Sequence, residues 1–216
     1  MDIKKITTDN GRFYEIGEKR YPSITTVLSV GKEESPYLQA WRKRVGEEEA
    51  ARITKESTDI GTAMHSFFEL FLKEETLPQP VTEEEWTGYE MFRAGKTMIR
   101  DYVQEVIAQE KIVYSDKLKV AGQFDLLCKN RRGEIVLIDF KSTKRKKSKA
   151  SANNYRLQTA FYRYCIKETM DIDIHHSALF FVTRDYNAYW MRINNGETNI
   201  KELIDIRMEF ARIKGF

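Results

Sequence analysis

Asp125 and Asp139 lie in two stretches of strand character, Leu118–Cys128 and Glu134–Lys141, joined by Asn130-Arg-Arg-Gly133. If the loop is the three residues Arg131–Gly133 with Gly133 left-handed, Asn130 pairs with Glu134 and the same register sets Asp125 across from Asp139. A four-residue loop shifts the pairing by one and separates the two acids. Lys141, two residues past Asp139, falls on the same face of its strand. Facing carboxylates repel unless a cation stands between them. A lysine meets part of that need, and the remaining hard oxygen donors suit Mg²⁺ or Mn²⁺ rather than zinc. The plain alternative is a charged sheet edge with an ordinary Asp–Lys pair. Against it, Ile135-Val-Leu-Ile138 is apolar on both faces, as in a central buried strand, and an acid leaving such a strand needs a reason.

The elements around this hairpin are legible from periodicity. Gly-Arg-Phe-Tyr-Glu-Ile-Gly (11–17) reads as part of a short hairpin, and Ser23 caps a helix running to about Val30. A helix over Pro36–Lys55, anchored by Tyr37, Leu38 and Trp41, precedes another that starts near Thr58–Asp59 and runs to Lys73. Ile60, Met64, Phe67, Phe71 and Leu72 form the apolar stripe of the latter. Pro78 and Pro80 break the chain before Thr82-Glu-Glu-Glu85, a capping box. It opens a long helix whose inner face is Trp86, Tyr89, Phe92, Ile99, Tyr102 and Val106. Strand character begins after Gln109, with Lys111–Ser115 ahead of the central pair. Asn154–Thr169 reads as a helix, His176–Thr183 and Asn187–Ile193 as strands, and Glu197–Ile213 as a closing helix. The order is that of a mixed α/β domain.

Composition narrows the class. With 41% hydrophobic residues over 216 positions, the chain can build one full core without staples. The two cysteines, Cys128 and Cys165, are too few and too far apart for a disulfide framework, a zinc ribbon or an iron–sulfur cluster. No signal-peptide core and no run of roughly 18 apolar residues occurs, so the expectation is a cytoplasmic protein without a membrane partner. The net charge of +3 is small, but Lys141–Lys149 concentrates six cations in nine residues. Such a run is either a solvated loop or a patch for a polyanion.

Four separated pieces then line up: Gly61-Thr-Ala-Met-His65 on a helix, Gly122-Gln-Phe-Asp125 and Asp139-Phe-Lys141 on neighbouring strands, and Gln158-Thr-Ala-Phe-Tyr162 on the next helix. In order and chemistry they resemble the PD-(D/E)XK nuclease superfamily, in particular its RecB-like exonuclease branch, over residues 58–183 or so. The opening Tyr21-Pro-Ser-Ile-Thr-Thr-Val-Leu28 and the Trp41 helix are more loosely similar to phage exonucleases and the mitochondrial genome maintenance exonuclease. The resemblance implies a restriction-endonuclease-like core, a central mixed sheet flanked by helices, over residues 58–216. Residues 1–57 would form a hairpin and helical extension.

It also implies roles. Asp125, Asp139, His65 and the backbone carbonyl of Phe140 would hold Mg²⁺ or Mn²⁺, with no iron–sulfur cluster. Lys141 would position the attacking water and stabilise charge on the scissile phosphate. Gln158 and Tyr162, one helical turn apart, would hold the site and the DNA backbone. Read without the resemblance, His65 is a structural histidine, and Gln158 and Tyr162 belong to a helix packing through Leu157, Phe161 and Tyr164. Glu69 and Glu110 would back the metal site, or else face solvent. Lys144, Arg145, Lys146, Lys147 and Lys149 would lie beside the scissile phosphate, making binding sequence-independent and salt-sensitive. Tyr37 and Trp41 are core residues or stacking platforms for unpaired bases.

The function implied is a metal-dependent DNA exonuclease of a bacterium or phage, acting on single strands or duplex ends and leaving a 5′-phosphate. A structure-specific endonuclease or resolvase with the same site, or an inactive DNA-binding subunit of a recombination or repair complex, are the alternatives. Recombination or replication proteins are the expected partners, and the oligomeric state is open.

Overall fold

The computed structural model describes residues 3–8, 10–29, 36–194 and 200–215; the expected helix limits at Val30 and Glu197 and the side chain of Tyr37 lie outside the described residues. Its centre is a five-stranded sheet in the order β4-β5-β6-β7-β8, comprising Val103–Ser115, Val120–Asn130, Ile135–Thr143, His176–Thr183 and Ala188–Ile193. Only β6 and β7 run parallel, joined by the crossover helix α5 (Asn153–Met170). The middle strand β6 is buried on both faces from Val136 to Phe140. Leu137 on one face packs towards α5 through Leu157 and Phe161. Ile138 and Phe140 on the other pack towards α3 (Glu47–Leu72) and α4 (Glu83–Tyr102) through Met64, Phe68 and Phe92. This two-faced burial is why β6 reads as a continuous apolar run. A closing helix α6 (Ile200–Lys214) packs beside α5.

The expected register of the central hairpin is found. Gly133 is left-handed at φ +78°, and the ladder runs from Lys129↔Ile135 to Leu126↔Ile138. The capping box at Thr82 and Glu85 forms in both directions.

Three boundaries differ from expectation. The helix expected over Pro36–Lys55 breaks at Gly46 (φ +87°), leaving α2 as Pro36–Val45. The next helix then starts at Glu47, not Thr58, and runs unbroken to Leu72. Thr58 and Asp59 do not cap anything: the Thr58 hydroxyl donates to the Thr54 carbonyl and Asp59 pairs with Lys55, both inside the helix. The long fourth helix stops at Tyr102, and Val103–Gln109 belong to β4. Tyr102 and Val106 imitate a helical stripe, but sheet pairing with β5 prevails there. Trp86, expected on the inner face, is 44% exposed.

The N-terminal hairpin is in fact a three-stranded meander: β1 (Ile3–Thr8), β2 (Gly11–Ile16) and β3 (Lys19–Pro22), followed by α1 (Ile24–Ser29). Ser23 caps α1 through the Thr26 amide and bridges in parallel to Ala121 of β5. The Tyr21 hydroxyl donates to Asp116 at 2.7 Å. The small sheet is thereby tied against the β5 end of the large one. Among the described residues no helix is long and apolar enough to cross a membrane.

Candidate active site

The hairpin ladder ends at Leu126↔Ile138, although both strands continue. In the gap where they part, backbone groups lose their ladder partners, and side chains take over. The carboxylate of Asp125 accepts the Phe140 amide hydrogen at 2.7 Å. Asp139, in register with it, is 2% exposed and meets the Lys141 ammonium at 2.5 Å. The Lys141 ammonium is thus the counter-charge that the buried Asp139 Oδ2 meets. Burial raises the pKa of both Asp125 and Asp139 to about 6, with Lys141 pulling each back and Asp125 adding repulsion on Asp139. Burial also opposes the charge on Lys141, but Asp139 and Asp125 outweigh it and raise its pKa, so the ammonium persists.

Two helices close on this gap. On α3, Gly61 lies against β6, where a Cβ would stand 3.0 Å from Ser142 Oγ. One turn on, His65 places Nδ1 3.6 Å from Asp125 Oδ2 and bonds to the Phe140 backbone. Burial first, then the Lys141 charge, lowers its pKa to about 4, so at neutral pH the imidazole is a free electron-pair donor. On α5, Gln158 accepts from Lys141 at 3.5 Å and donates to the Tyr162 hydroxyl at 3.0 Å. Tyr162 fits because residue 122 is glycine: a Cβ there would sit 2.7 Å from its ring. The glycine of one sequence motif thus makes room for the tyrosine of another.

Glu110 of β4 lies opposite Asp125, between the pairs Gln109↔Leu126 and Lys111↔Phe124. It takes a positive φ of 47°, strained for a non-glycine residue. Burial, then repulsion from Asp125 and Glu69, raises its pKa to about 8. Ligand atoms of His65, Glu110 and Asp125 lie within 4.8 Å of one another. One imidazole nitrogen and the hard oxygens of two carboxylates, so close together, fit a divalent cation.

Apart from the buried Phe140, the site residues line one cleft of about 480 Å³, together with Glu69. Glu69 pairs with Lys73 at 2.6 Å. The basic run does not join them. Lys144, Arg145, Lys146, Lys147 and Lys149 are exposed and outside the cleft lining. The Lys147 amide is held by the Tyr189 hydroxyl, and the Lys146 ammonium lies over the Tyr189 ring. Trp41 is half-buried on α2, also outside the cleft.

Sequence reasoning missed several lining residues. Tyr155, whose ring lies 4.8 Å from the Lys141 ammonium, shares a helical face with Gln158 and Tyr162, and that spacing could have found it. Lys5, Arg12, Tyr14 and Thr25 come from the N-terminal sheet and α1, and no spacing connects them to the acids.

Comparison with known proteins bears on the fold and the family. No curated protein sequence matches the chain. Among solved structures it is similar to SSO0001, with TM-score 0.51 and 12% identity over 93% of this chain and 79% of that one. It is also similar to an exonuclease candidate from Eubacterium rectale, with TM-score 0.53 and 13% identity over 74% of this chain and 66% of that one. At such identities the likeness speaks for the fold. As a sequence, residues 36–205 match the profile of the PD-(D/E)XK nuclease superfamily. With that match spanning most of its length, the chain belongs to the PD-(D/E)XK nuclease superfamily.

Proposed function

We propose that the protein is a metal-dependent DNA exonuclease that cuts phosphodiester bonds without regard to sequence, on single strands or at duplex ends. One observation carries the reading: a buried and a partly buried carboxylate, both with raised pKa values, converge with a charged lysine in a cleft. Such an arrangement costs stability, and carboxylates perturbed in this way inside a cleft are characteristic of functional sites.

Asp125, Asp139, His65, Glu110 and the Phe140 carbonyl would hold Mg²⁺ or Mn²⁺, with Glu69 behind them. The ion would supply charge neutralisation and acidify a water for attack on phosphorus. Lys141 orients that water and places its ammonium against the charge growing on the phosphate oxygens. Gln158 holds Lys141, and Tyr162 holds Gln158, so the ammonium has few positions to sample. In-line attack breaks the bond to the leaving 3′ oxygen and leaves the phosphate on the 5′ side. The exposed run Lys144–Lys149 would attract flanking phosphates from outside the cleft, a contribution that salt screens.

The test uses linear and closed-circular single-stranded DNA and blunt and capped duplexes, each with EDTA, Mg²⁺ or Mn²⁺. The expected result is metal-dependent release of mono- or short oligonucleotides from open ends only. Cutting of circles and capped duplexes would point to the endonuclease, and DNA binding without cutting in any metal to an inactive subunit.

A further inference from the structure

We propose that the β1–β3 sheet is a working wall of the cleft, on which Lys5 and Arg12 grip a backbone phosphate of the bound strand, opposite Asp125, Asp139 and Lys141. The inference rests on the nuclease reading and deepens it by naming residues that bind the substrate.

Both cations are exposed, yet both line the same cleft as the acids. The backbone of Arg12 is pinned: its amide donates to the Thr26 hydroxyl, and its carbonyl accepts from that hydroxyl and from the Ser23 amide. Its side chain lines the cleft together with Tyr14. Lys5 donates to the Gln123 side-chain carbonyl at 3.3 Å, and the Gln123 amide donates to Glu110 at 2.9 Å. Lys5 is therefore one side chain away from the group around Asp125. Burial and then Arg12 lower the Lys5 pKa; the two cations are close enough to disfavour each other, and an anion between them would relieve that.

The sheet that carries them is fastened down. Tyr21 and Lys19 both hold Asp116, at 2.7 Å each, and Ser23 bridges to Ala121. A phosphate entering this cleft would meet Lys141 on one side and a guanidinium and an ammonium on the other. At about 480 Å³ the cleft is of the size that takes a small molecule, roughly 300–1,000 Å³.

The rival explanation is that Lys5 and Arg12 only balance Glu69, Glu110, Asp125 and Asp139. The two roles separate by experiment, using wild type, Lys5→Ala, Arg12→Ala and Arg12→Lys. Binding of a fluorescent oligothymidylate is followed by anisotropy in EDTA across a salt series. Mn²⁺ affinity, and kcat and KM for its cleavage, are measured in parallel. The slope of log affinity against log salt should shrink by about 0.7 for each alanine variant. KM should rise about tenfold, the worth of one charge-assisted hydrogen bond, while kcat and Mn²⁺ affinity hold. Arg12→Lys should recover the slope, since it keeps the charge. An unchanged slope in both alanine variants, or tighter Mn²⁺ binding as the only change, would overturn the clamp and leave the nuclease standing. Wild-type binding with the expected slope but no cleavage in any metal would overturn the nuclease reading alone.

Discussion

The β5–β6 hairpin has two ends with opposite character. At the turn, Asn130 satisfies nearly everything around it. Its side-chain oxygen accepts the amides of Arg132 and Glu134 at 2.9 and 3.0 Å, and its side-chain amide donates to the Glu134 carboxylate at 2.7 Å. That hydrogen bond lowers the Glu134 pKa. At the open end, the carboxylates of Asp125 and Asp139 are pushed up to about 6 by burial. The same two strands thus carry a local structure that minimises its own energy and one held against its own preference. Under the proposed function, stability is assigned to the first end and chemistry to the second, the division expected when a fold supports a reactive site.

Removing the cation that tempers the open end should have the largest effect. Lys141→Ala should lower kcat by about 10³-fold, as for loss of a transition-state donor. It should also cost about 3 kcal/mol of stability at pH 7.5, because two buried acids then face each other unpaired. At pH 5 the stability loss should shrink, since both acids can then take a proton. Chemical denaturation at the two pH values, beside single-turnover cleavage, checks both parts.

The contrast sharpens at the turn end. Asn130→Ala should cost about 2 kcal/mol, leaving two turn amides without their acceptor. The loss should be the same at pH 5 and pH 7.5, and cleavage per folded molecule should be unchanged. A fall in kcat comparable to that of Lys141→Ala would break the proposed division between the ends.

Protons and metal should compete at the open end only. Asp125 and Asp139 have folded pKa values above their unfolded ones. The stability they contribute is therefore present below their unfolded value, about 4, and is lost as pH rises through about 6. Metal ligands must be deprotonated, so Mg²⁺ should raise the melting temperature by more at pH 7.5 than at pH 5. Equal shifts at both would place the ion elsewhere. The smallest effect is steric: Gly122→Ala should displace Tyr162 and lower kcat by several-fold with little change in KM, measured on the same oligonucleotide.

Much of the catalytic end was legible in the sequence because its pieces sit at fixed spacing within single elements. Gly61 and His65, Asp139 and Lys141, and Gln158 and Tyr162 each share a face by helical or strand geometry alone. The hairpin register followed from one glycine able to take a positive φ. Two kinds of reading failed: a helix start chosen on capping preference alone, and whatever depends on partners far along the chain. Thr58 and Asp59 looked like a helix start because they cap well, but in a helix that begins at Glu47 they bond one turn back, to Thr54 and Lys55. Lys5 reaches Gln123 across 118 positions, a contact that no periodicity encodes. The run from Lys144 to Lys149 shows the reverse error: adjacency in sequence to Lys141 did not carry those cations into the cleft.

The most direct test of the account is Asp139→Asn, read twice on the same protein in EDTA and in Mg²⁺. If the acid is kept for chemistry at a cost to the fold, the variant should melt at or above the wild-type temperature in EDTA at pH 7.5. In Mg²⁺ it should lose both metal stabilisation and DNA cleavage. A variant that melts well below wild type in EDTA yet still cleaves would make Asp139 a structural partner of Lys141 and contradict the account.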